Sequence, residues 1–321
     1  MSAPLLEVED LHVYFDSSPG PVRAVDGVSL QLYPGQTLAI VGESGCGKST
    51  LARAILGLEI PRSGRVLFRG RETAYDGRSQ RALWRELQMI FQDPDASLNP
   101  RMTIGSTIAE PIALLRRLPR PQCVDGARKL LRQVGIDPSL FDRYPHELSG
   151  GQRQRVSIAR ALAVEPRALI LDEAVSALDV SIRAQILNLL VSLQDELGLA
   201  YLFITHDLGV VRHLAHEVAV MYLGQIVEHA ETRALFAAPQ HPYARALLAA
   251  VPSLVPGAGL ATSRLHGELP SPVSPPAGCR FHTRCPEVFA RCRTEAPELF
   301  TLGPRRARCF LVEGCETGAG T

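Results

Sequence analysis

A glycine-rich loop between a strand and a helix restricts the fold of this chain most strongly. Thr37–Val41 is a continuous apolar run, as in a strand that is buried on both faces, and the loop Gly42–Thr50 (Gly-Glu-Ser-Gly-Cys-Gly-Lys-Ser-Thr) follows it directly. Its glycines let backbone N–H groups turn inward as an anion-binding nest, which the N-terminus of the next helix reinforces. The sequence therefore predicts an α/β core with a phosphate-binding loop at a strand end.

Two side chains of this loop carry predicted chemistry. Lys48 is expected to reach the β- and γ-phosphates of a nucleotide, and the Ser49 hydroxyl to ligate Mg²⁺. Of the 34 basic residues only Lys48 and Lys129 are lysines, and a compact ammonium fits a phosphate cradle differently from a planar guanidinium. The alternative is a glycine-rich turn that merely starts a helix.

Acidic residues follow a second apolar run, Ala168–Asp172. An acid at the end of a buried strand beside a phosphate loop holds Mg²⁺, which is the role predicted for Asp172. The adjacent Glu173 is expected to orient and polarise the attacking water. Without the phosphate loop the pattern would be weak, since many strands end in acids.

The order of elements predicts an α/β fold with an insertion and an extension. Residues 5–40 alternate apolar and polar side chains, as in an antiparallel sheet, and Ala200–Thr205 is another buried strand. The stretch 93–165 is mostly helical in pattern and is expected to be an inserted subdomain. A proline-rich segment suggests a boundary near residue 255, which gives domains 5–254 and 255–321.

Composition excludes several classes of protein. Hydrophobic residues make up 46% and charged residues 21%, so a large core is expected, and a net charge of +1 excludes a strongly basic nucleic-acid binder. No run approaches the roughly 18 apolar residues of a membrane span. The N-terminus lacks the pattern of a signal peptide. We therefore expect a cytoplasmic chain that meets a membrane only through a partner.

A third motif decides the family. Leu148–Gln152 (Leu-Ser-Gly-Gly-Gln) precedes a helical pattern over Arg153–Val164, and Ser149 is a natural N-cap. It resembles the signature motif of ATP-binding-cassette ATPases. Four further segments resemble the family's Q-loop, D-loop, switch histidine and adenine-stacking aromatic: Phe91-Gln92, Ser176–Asp179, Thr205–Asp207 around His206, and Phe15, with Tyr14 as the alternative.

The resemblance spans about Leu6 to Val251. It implies a P-loop NTPase fold, with a RecA-like core, an antiparallel β subdomain and the helical insertion. Two such domains would face each other with two nucleotides between them, and ATP would favour the closed dimer.

The resemblance also implies the site residues. The catalytic set is Lys48, Gln92, Glu173 and His206. The Mg²⁺ ligands are Ser49, Gln92 and Asp172. The nucleotide contacts are Phe15, Gly42, Glu43, Ser44, Gly45, Cys46, Gly47, Lys48, Ser49, Thr50, Gln92, Ser149, Gly151, Gln152 and Asp179, of which Ser149, Gly151 and Gln152 would cover the partner's nucleotide.

A narrower resemblance covers nearly the whole chain. The segments that resemble dipeptide/oligopeptide importers, and most of all their second, F-type, ATPase, are Phe91–Pro94, Ser97–Arg101, Arg143–His146, His241–Tyr243 and Gly267–Cys279. The chain departs from the family at Ala174, where proline is usual, and we expect only a small change of the local backbone.

This resemblance implies partners as well as a function. The chain would energise peptide import at the cytoplasmic face of the membrane, with a paralogous ATPase, two permease subunits, an extracytoplasmic peptide-binding protein and no nucleic acid. Alternatives are a related cargo such as nickel or sugars, or a soluble cassette ATPase that acts on DNA or ribosomes. A small-molecule kinase would explain neither the Leu148–Gln152 motif nor His206.

Five of the seven cysteines lie in the C-terminal extension. Disulfides are improbable in a cytoplasmic protein, and the spacing lacks the close pairs of structural zinc sites, although zinc and free thiols stay open. The resemblance favours a [4Fe–4S] cluster on Cys279, Cys285, Cys292 and Cys309. Cys315 is expected to be unligated. Cys46, at a variable loop position, and Cys123, in an expected linker, suggest no chemistry.

Overall fold

The computed structural model describes residues 3–93, 97–250 and 267–314. Backbone contacts divide the chain into two compact units. Unit 1 comprises Met1–Leu6, Leu32–Gln36 and Leu67–Ile204, and unit 2 comprises Glu7–Gln31, Thr37–Val66 and Thr205–Thr321. The predicted boundary near residue 255 and the predicted unligated Cys315 lie outside the described residues.

The described chain contains both strands and helices. The strands are β1 Leu6–Phe15, β2 Val22–Leu32, β3 Thr37–Val41, β4 Ser63–Phe68, β5 Arg71–Glu72, β6 Leu87–Ile90, β7 Ala168–Asp172, β8 Ala200–Thr205, β9 Glu217–Tyr222, β10 Gln225–Glu231, β11 Phe300–Leu302 and β12 Arg305–Ala307. The α-helices are α1 Lys48–Ile55, α2 Gly77–Glu86, α3 Ile104–Pro111, α4 Arg120–Gln133, α5 Gly150–Leu162, α6 Val180–Leu197, α7 Leu208–Leu214, α8 Thr232–Ala237, α9 Pro242–Ala249 and α10 Ala290–Thr294. Among these helices, none is both long and apolar enough to cross a membrane.

Unit 1 contains a parallel sheet in the order β6, β7, β8. Every residue of β7 and β8 is buried, as the continuous apolar runs predict. Helix α6 connects β7 to β8 and buries Ile186, Leu190 and Leu193 on one face. A long crossover helix is what two parallel neighbouring strands require.

The described part of the stretch 97–165 in unit 1 is mostly helical. It contains α3, α4 and α5, a π-helical segment at Ile112–Arg116 and 3₁₀ turns at Pro138–Asp142 and Pro145–Glu147. Thr103 caps α3 through a hydrogen bond from the Ser106 N–H to its hydroxyl oxygen, at 3.3 Å.

The expectation of a linker at Cys123 is wrong. Cys123 lies in the first turn of α4 and is 3% exposed. Pro121 occupies the helix start, where a missing N–H costs no intrahelical hydrogen bond, so a helix can begin here. The buried thiol donates a hydrogen bond to the Leu118 carbonyl oxygen at 3.3 Å.

Unit 2 contains β3 beside β9 in parallel, followed by β10, β12 and β11 in antiparallel pairs. The last two strands form a hairpin of the C-terminal extension, with Leu302 opposite Arg305 across a Gly303-Pro304 turn. Ala307 pairs with Glu228 of β10. The extension therefore continues a sheet of unit 2 and is more than a loop-rich tail. A second sheet contains β2, β1 and β4 in that order.

Aromatic rings tie this extension to the core of unit 2. Tyr222 at the end of β9, Tyr243 in α9 and Phe281 of the extension are each at most 1% exposed. The ring centroids of Tyr222 and Phe281 are 5.3 Å apart, and those of Tyr243 and Phe281 are 5.4 Å apart. Burial of a phenylalanine side chain contributes about 1.5–3 kcal/mol, so Phe281 anchors the extension firmly.

Candidate nucleotide site

The loop between β3 and α1 has a backbone that only glycine allows. Gly45 and Gly47 have φ values of 80° and 108°, in the region that other residues rarely adopt. A Cβ atom on Gly47 would lie 2.0 Å from the Ala24 carbonyl oxygen, and one on Gly42 would lie 2.2 Å from the Met221 carbonyl oxygen. These close approaches let the loop turn its N–H groups together, as an anion nest requires.

Lys48, the first residue of α1, is turned into this loop. Its side chain is buried, and its Nζ donates hydrogen bonds to the carbonyl oxygens of Gly42 at 2.8 Å and Glu43 at 2.9 Å. A buried ammonium is costly unless it is paired, and the phosphates of a nucleotide are the partner that this loop geometry suits. Cys46, also in the loop, is buried, and its burial raises the pKa of the thiol.

Unit 1 brings two predicted catalytic side chains together. Gln92 Nε2 donates to Glu173 Oε2 at 3.3 Å. Asp172, at the end of β7, is only 6% exposed. Glu173 follows it with a φ of 48°, and the backbone N–H of Glu173 donates to the Ile204 carbonyl at 2.9 Å. Glu173 thus has a left-handed backbone conformation, which costs energy for a residue other than glycine.

The Leu148–Gln152 motif forms the predicted capped helix start, also in unit 1. The Ser149 hydroxyl oxygen accepts the Gln152 N–H at 3.3 Å, and Gln152 Oε1 accepts the Ser149 N–H at 2.9 Å, which is a capping box. Ser149 is exposed. A Cβ on Gly151 would lie 2.6 Å from Ile182 Cγ2, so this glycine permits close packing against α6.

The remaining predicted contacts occupy exposed or half-buried positions. Phe15 at the end of β1 is 38% exposed, whereas the Tyr14 ring is covered by Arg62 at 5.4 Å and by Arg23 at 5.8 Å. Phe15 is thus the more accessible of the two candidate adenine-stacking rings. His206 is exposed at the end of β8, and Asp179 is exposed before α6. Ser44 is exposed, and Ser49 and Thr50 are half-buried at the start of α1.

Sequence analysis missed the side chains that hold the phosphate loop from unit 2. The Tyr243 hydroxyl oxygen accepts the Glu43 N–H at 3.0 Å. Arg284 of the extension donates to both oxygens of the Glu43 carboxylate, at 2.6 and 2.9 Å. Only His241–Tyr243 carried a sequence signal, as part of the importer resemblance. Nothing local marks Arg284 as a partner of Glu43.

A second ion pair joins the extension to β2. Arg280 donates to the Asp26 carboxylate and to the Leu223 carbonyl. Asp26 also accepts hydrogen bonds from Tyr14 Oη and from His12 Nδ1. Burial raises the pKa of Asp26, but the hydrogen bonds from Tyr14 and Arg280 outweigh it and hold the pKa below its usual value.

The four predicted cluster cysteines line one small pocket in the extension. Cys279, Cys285, Cys292 and Cys309 surround it together with Phe281, and all four thiols are free. Burial raises the pKa of Cys285 and of Cys309 to about 11. Among the described residues, no three His, Cys, Asp or Glu side chains are grouped closely enough to hold a single metal ion.

Comparison with known proteins places the chain in a family. A model described as ABC transporter matches residues 25–176, and one described as the oligopeptide/dipeptide transporter C-terminal region matches residues 227–292. A di/tripeptide transport ATP-binding protein of Pseudomonas aeruginosa is 48% identical over 316 residues, which covers 96% of this chain and 98% of that protein. The chain belongs to the ABC transporter ATP-binding proteins. The family predicted from the sequence motifs is confirmed.

Other relatives and solved structures agree with this membership. A probable peptide ABC transporter ATP-binding protein of Sinorhizobium fredii is 52% identical and covers 96% of this chain and 89% of that protein. The structure of cbiO1 from Clostridium perfringens matches with a TM-score of 0.66 and 33% identity, over 74% of this chain and 92% of that one. A dimeric ATP-binding cassette with ADP and Pi bound has a TM-score of 0.65 and 26% identity, over 71% and 99%.

Proposed function

We propose that this ABC protein hydrolyses ATP to energise the uptake of dipeptides or short oligopeptides through a membrane permease. The observation that carries the proposal is the match of residues 227–292 to the oligopeptide/dipeptide transporter C-terminal region, in a chain that has the ATP-binding loop. The named function of the relatives, di/tripeptide and oligopeptide transport, supports the same cargo.

The residues of the loop fit a nucleotide with its magnesium ion. Glycines stand where a Cβ would collide with backbone, and Lys48 presents a buried cation beside the N-terminus of α1. Ser49, Gln92 and Asp172 would hold Mg²⁺, which when bound neutralises charge on the β- and γ-phosphates. Phe15 would stack on the adenine.

Hydrolysis would depend on the pair in unit 1. The Glu173 carboxylate orients a water molecule and accepts its proton as the oxygen attacks the γ-phosphate. The Gln92 amide, which donates to Glu173 Oε2, holds that carboxylate in place. His206 would donate to the γ-phosphate and Asp179 would order the site from the D-loop, as in the family.

Transport would follow from a two-state dimer. Ser149, Gly151 and Gln152 would cover the γ-phosphate held by the facing subunit, so ATP binds the closed state better and hydrolysis removes that preference. The facing subunit would be a paralogous ATPase. Gln92 and the helical insertion would pass closure to two permease subunits at the cytoplasmic face of the membrane, and an extracytoplasmic binding protein would deliver the peptide.

The substitution Glu173→Gln tests the catalytic assignment. We expect ATP binding to persist, the closed dimer to accumulate, and steady-state hydrolysis to fall by about 100-fold or more, because the base is lost while the shape is kept. Glu196→Gln, a carboxylate on the exposed face of α6, is the control and should leave hydrolysis unchanged. Undiminished hydrolysis in Glu173→Gln would remove this residue from its role.

Peptide uptake by cells tests the cargo. Cells that carry Glu173→Gln in the native gene should lose uptake of a labelled dipeptide and keep uptake of the same free amino acid. Loss of nickel or sugar uptake with normal dipeptide uptake would contradict the peptide assignment and leave the ATPase intact.

We further propose that Cys279, Cys285, Cys292 and Cys309 hold a [4Fe–4S] cluster. Each thiolate of such a cluster binds a different iron, so its four sulfurs stand further apart than around one ion. The donor set fits, because all four cysteines line one pocket of the extension and such a cluster is held by four thiolates. The cluster would fix the fold of the extension.

Iron and acid-labile sulfide, assayed on protein purified without oxygen, test this proposal. We expect about four of each per chain, lost in Cys285→Ser and kept in the control Cys315→Ser. Zinc in their place, or no metal at all, would contradict the cluster and leave the ATPase assignment untouched.

A further inference from the structure

We infer that Arg284 is a positioning residue for ATP: it neutralises Glu43 inside the phosphate loop and thereby sets the affinity of the loop for nucleotide. The inference rests on the proposed ATPase function. It concerns unit 2 alone, which contains the loop, the extension and all the contacts between them that carry the argument.

Glu43 places a negative charge in a loop built for anions. Its backbone N–H is held by Tyr243, its carbonyl oxygen accepts Lys48 Nζ, and its carboxylate meets Arg284. A carboxylate in this loop would repel phosphates bound there, since the repulsion between like charges falls slowly with distance at the dielectric of a protein surface. The loop therefore needs a cation that offsets Glu43.

Arg284 meets that need with a fixed geometry. Its side chain is 5% exposed, both of its terminal nitrogens donate to the Glu43 carboxylate, and its guanidinium lies 5.9 Å from the Tyr222 ring. The Glu43 side chain is partly exposed, at 28%. A bidentate guanidinium–carboxylate pair orients as well as neutralises its partner. The carboxylate is thereby aligned with the extension and its charge is cancelled.

The short segment that contains Arg284 also makes a second arginine–carboxylate contact. Arg280 and Arg284 both lie between Cys279 and Cys285, two cysteines of the pocket. Arg280 holds Asp26, which accepts a hydrogen bond from Tyr14, the neighbour of Phe15, and Arg284 holds the phosphate loop. One short segment thus braces both the strand that bears Phe15 and the loop.

A double-mutant cycle on ATP affinity tests the inference. Affinities are measured on the purified full chain with a fluorescent ATP analogue and Mg²⁺, at about 50 mM salt. We expect Arg284→Gln to weaken binding about tenfold, because Glu43 becomes unpaired beside the phosphates. In the Glu43→Gln background, where no carboxylate is left unpaired, the same Arg284→Gln change should alter binding by less than about twofold.

Two further measurements, the salt dependence of ATP binding and the affinity of Arg284→Lys, distinguish a loss of charge from a loss of structure. The deficit of Arg284→Gln should shrink as salt rises, because screening weakens exposed electrostatic repulsion, whereas a collapsed loop would not recover. Arg284→Lys keeps the charge but loses the fork and should bind only about two- to threefold more weakly. Arg291→Gln, in which another arginine of the extension loses its pairing with Glu313, is the control and should bind normally.

The outcomes are distinct. An unchanged affinity in Arg284→Gln overturns the inference, and so does a tenfold loss that persists in the Glu43→Gln background, since Arg284 would then act only by holding the extension. Melting of each variant without nucleotide checks that the fold survives. If the unmodified chain fails to bind ATP, the proposed function itself is wrong. The affinity of the unmodified chain is measured first, so this outcome is known before any variant is compared.

Discussion

Two helices of this protein begin at glycine-rich loops that present backbone N–H groups, but the loops are built differently. Before α1, Gly47 has a φ of 108° and no room for a side chain, and Lys48 is buried. Before α5, Ser149 and Gln152 cap each other across three residues, and Gly150 has open space where a Cβ would be.

The difference lies in what braces each loop. The α1 loop is held by Tyr243 and Arg284, which are 200 and 241 residues away from Glu43 in the chain. The α5 start is capped by its own neighbours, packs at Gly151 against Ile182 of α6, and leaves Ser149 exposed. A loop that binds nucleotide within one chain needs rigid support from distant parts of the fold. A loop that covers a partner's nucleotide must instead remain open until the partner arrives.

The largest expected effect is the loss of Lys48. We expect Lys48→Met to reduce ATP hydrolysis by about 100-fold or more, because the phosphates lose their buried cation, which is worth about 2.7 kcal/mol at that ratio. The only other lysine offers a matched control: Lys129 lies on an exposed face of α4, and Lys129→Met should hydrolyse ATP normally. Equal activity of the two variants would contradict the assignment of the loop before α1 as the loop that binds nucleotide within the chain.

A smaller and more selective effect is expected at α5. Ser149→Ala should lower hydrolysis about tenfold in the assembled dimer and leave the ATP affinity of the separate chain unchanged, because the contact that we propose for Ser149 is with the nucleotide of the facing subunit. Loss of the cap should also cost about 1 kcal/mol of unfolding free energy.

Thr103→Ala separates these two effects. Thr103 caps α3 in the same way, through the Ser106 N–H, so its removal costs the same kind of stability away from the candidate site. If Thr103→Ala slows hydrolysis as much as Ser149→Ala, then the α5 start acts only through stability.

Local patterns made much of this site predictable. The loop, Lys48 and the strands β3, β7 and β8 follow from apolar runs and glycine spacing, which depend on neighbours in sequence. The same local reasoning failed at Cys123, because it did not distinguish a linker from the first turn of a helix. The structure separates the two by the burial of the thiol.

The bracing of the loop could not be predicted in this way. Arg284 and Glu43 pair across 241 residues, and no periodicity records such a contact. The hairpin of the extension did leave a signal, since Gly303-Pro304 separates two short strand patterns, but its pairing with β10 depends on tertiary packing. Contacts of this kind, between residues far apart in the chain, cannot be predicted from local sequence patterns.

The smallest expected effect concerns glycines that look equivalent in the sequence. Gly150→Ala should leave the unfolding free energy unchanged or raise it by up to about 1 kcal/mol, because the new methyl group meets open space and the unfolded chain loses entropy. The ATP affinity of the separate chain should stay the same. Gly47→Ala, in contrast, would place its Cβ 2.0 Å from the Ala24 carbonyl oxygen and should abolish ATP binding. Denaturant unfolding measures the unfolding free energy of both variants, and ATP titration measures their affinity. If Gly150→Ala weakened ATP binding as Gly47→Ala does, then the α5 start would belong to the nucleotide site of its own chain, and the contrast between an internally braced loop and an open one would fail.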